Sequence, residues 1–162
     1  MTAEATAHQS MDDTAVPGIG GDASPAQSDA VTAPLFVASL GVRWRDLDAF
    51  NHVNNANYLT YLEEARLQWL QQVRDWFNAE SMPVLAASEL NYRLPIEWPA
   101  QLHVQLYAER VGNSSLTLAH RIVDAADGSR VYCDGSVVMV WMNPATGKPV
   151  PLPATIRKAA MG

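Results

Sequence analysis

One stretch of this chain has a helical period and is apolar over more than half of its circumference. Between Ala56 and Phe77, Tyr58, Leu62, Ala65, Trp69, Val73 and Trp76 or Phe77 recur at spacings of three and four, and Leu59, Leu70 and Phe77 widen the stripe. Glu63, Glu64, Gln68, Gln71, Arg74 and Asp75 fill what remains. A helix this apolar has to be wrapped, and a curling sheet is the element that wraps a single helix. The rest of the chain supplies one. Leu35 to Arg45 reads as a strand ahead of the helix, and Met82 to Leu94, Leu102 to Glu109, Leu116 to Ile122 and Val131 to Met142 read as strands after it. Trp98-Pro99, Gly112-Asn113-Ser114, Asp127-Gly128, Asn143-Pro144 and Thr146-Gly147-Lys148-Pro149 punctuate them as turns. Val137 to Met142 is apolar on both faces, which suits a central strand, and Pro153 to Ala160 predicts a short closing helix. A strand, a long helix and four consecutive strands predict an α+β domain, a five-stranded antiparallel sheet around one helix.

The N-terminal residues have a different composition. Residues 1–33 carry five acids (Glu4, Asp12, Asp13, Asp22 and Asp29), no Lys or Arg and few large apolar side chains. Such a segment buries too little surface to offset its ordering entropy, so the chain divides into a disordered tail, 1–33, and one domain, 34–162. The net charge of -6 comes largely from that tail. The domain has no basic face or run, which argues against a nucleic-acid partner. No apolar run reaches a membrane span and no basic and apolar leader opens the chain. Cys133 is the single cysteine, in an apolar strand pattern, and fits a buried core residue of a cytoplasmic protein.

Between Arg45 and Ala56 the sequence packs two carboxylates, one histidine and three asparagines without a glycine or proline. Polar groups in such number, just ahead of a helix, cap it or meet a ligand. Asn54 reads as the helix N-cap, which makes Asn55 the first helical residue and leaves its N–H free, at the positive end of the helix dipole. Asp48 either accepts the free amides of its own turn or serves as an acid–base group; the residues alone leave both open. Asp46 reads as an ion-pair partner of its neighbouring arginines. Asp46, Asp48 and His52 together lack a fourth metal ligand, so no metal and no cofactor is expected. His52 lines a pocket, pins the loop or is simply buried. Glu63 reads as paired with Arg66 three residues on.

The pattern Asp46-x-Asp48, His52-Val53-Asn54-Asn55, Tyr58 and Tyr61-Leu62-Glu63-Glu64-Ala65-Arg66, continued by Asn91-Tyr92-Arg93-Leu94-Pro95, resembles the acyl-CoA thioesterases of the hotdog fold, the 4-hydroxybenzoyl-CoA thioesterase-like family. The resemblance implies the hotdog architecture with strand order 1-3-4-5-2 over Leu35 to Ala160. It implies that Asp48 is the nucleophile or general base and that the Asn55 amide polarises the thioester carbonyl. His52, Tyr58 and Arg93 would then contact an acyl-CoA or acyl carrier protein thioester. Arg110, Arg121 and Lys148 are further candidates for the CoA phosphates, although Gly112-Asn113-Ser114 stands where some relatives carry basic residues. In another branch of the fold the helix supplies the carboxylate, which makes Glu63 and Glu64 rivals to Asp48.

Two other functions share this fold. A dehydratase or hydratase of acyl thioesters needs a histidine working with a carboxylate, for which His52 and Asp48 are the nearby pair; a non-catalytic acyl-thioester binding module needs neither. In hotdog proteins the second strand pairs with its mate across a two-fold axis. Met82 to Leu94 would be that strand, an edge with thin charge protection, so a homodimer or a pair of dimers forming a homotetramer is expected.

Overall fold

A computed structural model describes residues 33–162. The expected disordered tail thus lies, but for Ala33, outside the described residues. In chain order the elements are β1 (Phe36–Gly41), a single 3-10 turn (Trp44–Asp46), α1 (Asn55–Gln72), β2 (Met82–Tyr92), β3 (Gln101–Val111), β4 (Ser115–Asp124), β5 (Val131–Asn143), β6 (Lys148–Pro149) and α2 (Ala154–Met161). The main sheet runs β1-β3-β4-β5-β2 with every pairing antiparallel. This is the expected strand order, and the sheet holds α1 as expected. A sixth strand goes beyond that expectation. Lys148 and Pro149, turn residues by sequence, pair with Asn143 and Met142 of β5.

The alternation of side chains puts the apolar set of each central strand on one face. Leu116, Leu118 and Ile122 of β4, Leu102, Val104 and Leu106 of β3, and Val137, Met139 and Trp141 of β5 are all buried. From α1, Tyr58, Leu62, Ala65, Trp69 and Leu70 join the same core. The helix makes its closest approach to β1 and β3. Over β2, at the far edge, the seam between helix and sheet is open, and both clefts described below lie there.

The helix stops short of its apolar period. It ends at Gln72, and Val73 turns extended, with φ -98° and ψ 120°, its N–H donating to the Leu70 carbonyl. Asp75 follows with a positive φ of 54°. The indole N–H of buried Trp141 donates to the Trp76 carbonyl at 2.8 Å and holds this turn against β5. The apolar side chains of Val73 and Trp76 therefore still reach the core edge, but from a turn rather than a helix. The first strand is also shorter than expected: it ends at Gly41, because Trp44–Asp46 coil into the 3-10 turn that aims Asp46 inward.

Candidate active site

The loop between β1 and α1 is held by its own polar groups. Asp46 is 3% exposed, and its carboxylate takes two hydrogen bonds from the Arg43 guanidinium (2.9 and 3.1 Å) and one from the Tyr61 hydroxyl (2.8 Å). Burial alone would raise its pKa, but the Arg43 and Tyr61 hydrogen bonds outweigh it and leave the carboxyl below its ordinary value. Burial, with the same hydrogen bond, pushes the Tyr61 phenol above its ordinary value. The Asp46 carbonyl accepts from the Asn54 N–H at 2.9 Å and from the Asn57 side chain at 2.8 Å. Asp46 is thus the bolt that fixes the loop to the helix, the ion-pair role read from the sequence.

Asp48 lies one turn on, with an exposed carboxylate. Its Oδ1 accepts the Phe50 N–H at 2.8 Å and the His52 N–H at 3.2 Å, while its own N–H donates to the His52 carbonyl at 2.7 Å. Asp48 thus accepts the free amides of its own turn, the first of its two readings. One oxygen orders the turn, and Oδ2 makes no hydrogen bond among the described residues. Asn51, at the tip, adopts φ 61°, a conformation asparagine tolerates well.

At the start of α1, Asn54 is the N-cap, its side-chain oxygen accepting the Ala56 N–H at 3.0 Å and its carbonyl accepting the Asn57 N–H at 2.8 Å. The Asn55 N–H has no acceptor among the described residues. It points out of the helix end as an open donor in the positive field of the dipole.

Five of the residues that the resemblance names line one cleft of about 280 Å3: Asp48, His52, Asn55, Tyr58 and Arg93. Tyr92, Val53, Leu94 and Pro95 complete it. Tyr58 is buried and its ring meets Tyr92 edge-on, centroids 5.0 Å apart. The Tyr92 hydroxyl donates to the Asn55 carbonyl at 3.3 Å, a link from β2 to the helix start that the sequence alone does not suggest. His52 lies 3.8 Å from Glu97 through Nε2 and meets Asp48 only through backbone groups, so no His–Asp side-chain pair exists here.

Arg93 is committed elsewhere. Its guanidinium holds both oxygens of Asp134 at 2.8 and 2.9 Å, a bidentate pair. It walls the cleft instead of offering a free fork. Arg110, Arg121 and Lys148 do not line the cleft. The expected Glu63–Arg66 ion pair does not form among the described residues; Arg66 turns inward and is buried while Glu63 stays in solvent. Glu64 is exposed and takes a hydrogen bond from Gln68, and neither glutamate lines the cleft with Asp48. Cys133 is fully buried, its thiol pushed up to about 11 by burial, as suits a core residue. Among the described residues no three His, Cys, Asp or Glu side chains converge as a metal site. No helix among them is long and apolar enough to cross a membrane.

The family model of the thioesterase-like superfamily matches residues 42–160. This chain belongs to the thioesterase-like superfamily. It is similar to the long-chain acyl-CoA thioesterase FadM of Escherichia coli strain K12, 29% identical over 120 residues that cover 72% of this chain and 90% of that protein. Among solved structures it is similar to the PA2801 protein of Pseudomonas aeruginosa, a thioesterase candidate: 40% identity, TM-score 0.74, covering 78% of this chain and 98% of that one. A thioesterase of Thermus thermophilus, solved in complex with coenzyme A and Zn, is 32% identical with a TM-score of 0.68, covering 80% of this chain and 100% of that one. The superfamily match runs from Val42, ahead of the Asp46–Asp48 loop, to the last turn of α2.

Proposed function

We propose that this protein hydrolyses an acyl-CoA thioester to the free acid and CoA, with Asp48 and the Asn55 amide as its catalytic groups. The observation that carries this is their union in one cleft: an oriented carboxylate with one free oxygen, and a helix-end N–H with no partner. The thioester carbonyl oxygen accepts the Asn55 N–H, which sits where negative charge develops as the carbonyl carbon becomes tetrahedral. Asp48 Oδ2 takes a proton from water, whose oxygen bonds to that carbon, and the C–S bond then breaks as the thiolate leaves to be protonated; or Oδ2 attacks the carbon itself, the thiolate leaves, and water cleaves the resulting mixed anhydride to release the acid and restore the carboxylate. The amides of Phe50 and His52 keep the Asp48 carboxylate from rotating away, which is the positioning such a step needs. Tyr58 and Tyr92 form the apolar wall at the acyl side, His52 the outer wall. Arg93 shapes the mouth through its pair with Asp134 rather than clamping phosphate.

The FadM relative makes a long-chain acyl-CoA the first substrate to try, ahead of an acyl carrier protein thioester. The lack of a His–Asp side-chain pair speaks against dehydration or hydration. The working unit is read as a homodimer, or a tetramer of two such pairs, in the cytoplasm. Met82, Val84, Leu85 and Tyr92 of edge strand β2 are all more than 40% exposed in the single chain, a surface suited to a second copy.

Free thiol released from a panel of acyl-CoAs, read beside enoyl-thioester absorbance, tests the activity. Thiol release with at least one acyl-CoA is expected. Enoyl absorbance without thiol would move the reading to dehydration, and neither signal would leave a binding module.

A further inference from the structure

A second cleft lies farther along the same seam between α1 and β2. Leu70 of α1, Trp76 and Phe77 of the turn after it, Val84 and Leu85 of β2, and Met139 of β5 line about 260 Å3 of mostly apolar space. One side chain breaks the pattern. Arg66 lines this cleft, is only 8% exposed, and its buried Nη1 has no hydrogen-bond partner among the described residues. A guanidinium is all donor, and a buried donor left unpaired keeps its full desolvation penalty. Glu63, at the rim, is beyond ion-pair distance, yet its field offsets part of the Arg66 charge. Burial outweighs that field and leaves the Arg66 pKa below its ordinary value, so Nη1 lacks an acceptor and the charge is only partly compensated.

Nearby in the interior, His120 of β4 is 1% exposed with both ring nitrogens unpartnered, close enough to feel the Arg66 charge. Opposite it on β5 stands Gly135, where a Cβ would come within 3.1 Å of His120 Nε2. The Glu89 carbonyl of β2 fills the place of that Cβ, so the glycine lets β2 close over the imidazole. Of these two buried basic side chains only Arg66 lines the cleft, and its unpartnered donor there marks a place for an oxygen.

Helix geometry sets the reach. From Asn55 to Arg66 is eleven residues of α1, about 16 Å along the axis. An extended chain of single bonds advances about 1.2 Å per bond, so an acyl group held at Asn55 reaches Arg66 with roughly a dozen carbons.

We propose that this cleft receives the far end of the acyl chain, and that Arg66 selects chains of about a dozen carbons bearing an oxygen acceptor, such as a hydroxyl, oxo or carboxylate group, near that end. The proposal rests on the thioesterase reading above and names its substrate class. Arg66 is a specificity residue here, remote from the reacting carbonyl.

Thiol release from dodecanoyl-CoA, ω-hydroxydodecanoyl-CoA and dodecanedioyl-CoA provides the test. The protein is expected to favour the hydroxylated chain over the plain one by about tenfold in kcat/KM, and Arg66→Met to bring that ratio toward one. No preference in the unaltered protein, or a preference that survives in Arg66→Met, overturns the proposal. Dodecanedioyl-CoA, whose far carboxylate also accepts from a guanidinium, is expected to be favoured over the plain chain as well, and a plain chain preferred to both oxygenated ones overturns the proposal. Should Arg66→Met lose its far-UV circular dichroism, Leu85→Trp replaces it by filling the cleft from β2. The preferred chain is then expected to shorten, and an unchanged preference counts against the proposal. Intrinsic tryptophan fluorescence, with Trp76 in the cleft wall, reads binding of free ω-hydroxydodecanoic acid against dodecanoic acid without any hydrolysis. Tighter binding of the hydroxylated acid by a protein that cleaves no thioester sinks the thioesterase reading and keeps the cleft. Hydrolysis without preference does the reverse.

Discussion

His120 carries a charge problem that governs how this domain responds to acid. Burial and the Arg66 charge push its pKa down to about 4, so it stays neutral in the fold at pH values where the unfolded chain is already protonated. The unfolded state then binds more protons between about pH 6.5 and 4, and stability falls as pH drops through that window. Between pH 7 and pH 4.5 the loss should be about 2 kcal/mol, read as a lower urea midpoint, and His120→Gln should remove most of it. A midpoint flat across this range in the unaltered protein would contradict the buried neutral imidazole. Neither the His120 nor the Arg66 environment is legible in the sequence. Arg66 sits at a helix position that pairs naturally with Glu63, and only the packing of α1 over an apolar cleft turns it inward. Asp48, Asn54 and Asn55 are legible, because a cap and a turn are local devices whose partners lie within a few residues. The Tyr92 hydroxyl on the Asn55 carbonyl is not, since it bridges 37 positions.

At the scale of elements, strand order and the wrapped helix follow from periodicity and turn signals, whereas element ends follow from tertiary contacts. The helix period continues to Phe77, yet the bond from Trp141 to the Trp76 carbonyl draws the chain out of the helix after Gln72. The Lys148–Pro149 strand has the same origin: two turn-like residues pair because β5 offers them an open end. Strand β2 is mostly exposed, and Gly135 sets its pairing with β5. With φ at 155°, Gly135 stands where a Cβ would collide with the Glu89 carbonyl of β2, and that contact is backbone, which cannot swing aside. Gly135→Ala should therefore cost several kcal/mol, on the order of 3, and loosen β2 first. Amide exchange across Met82–Tyr92 would show it. Unchanged protection in a variant of unchanged melting temperature would mean that β2 is not seated on β5 as described.

The whole domain leaves β2 uncovered on its outer edge, and beside it stand exposed Leu67 and Phe77. A second copy meeting this edge would extend the sheet and close the seam on which both clefts open. Light scattering across a dilution series should give at least twice the 17.7 kDa of one chain for every active sample; an active single chain would end the shared-edge reading. In the proposed mechanism the carboxylate ordered by the Phe50 and His52 amides, in the loop that joins β1 to α1, performs the chemistry beside the Asn55 N–H. Thiol release by Asp48→Asn tests it most directly, because the amide side chain still accepts both hydrogen bonds through its oxygen and preserves the turn. With far-UV circular dichroism unchanged, kcat should fall by at least ~100-fold. Turnover near that of the unaltered protein, with Glu64→Gln inactive instead, would contradict the account and place the chemistry on the helix.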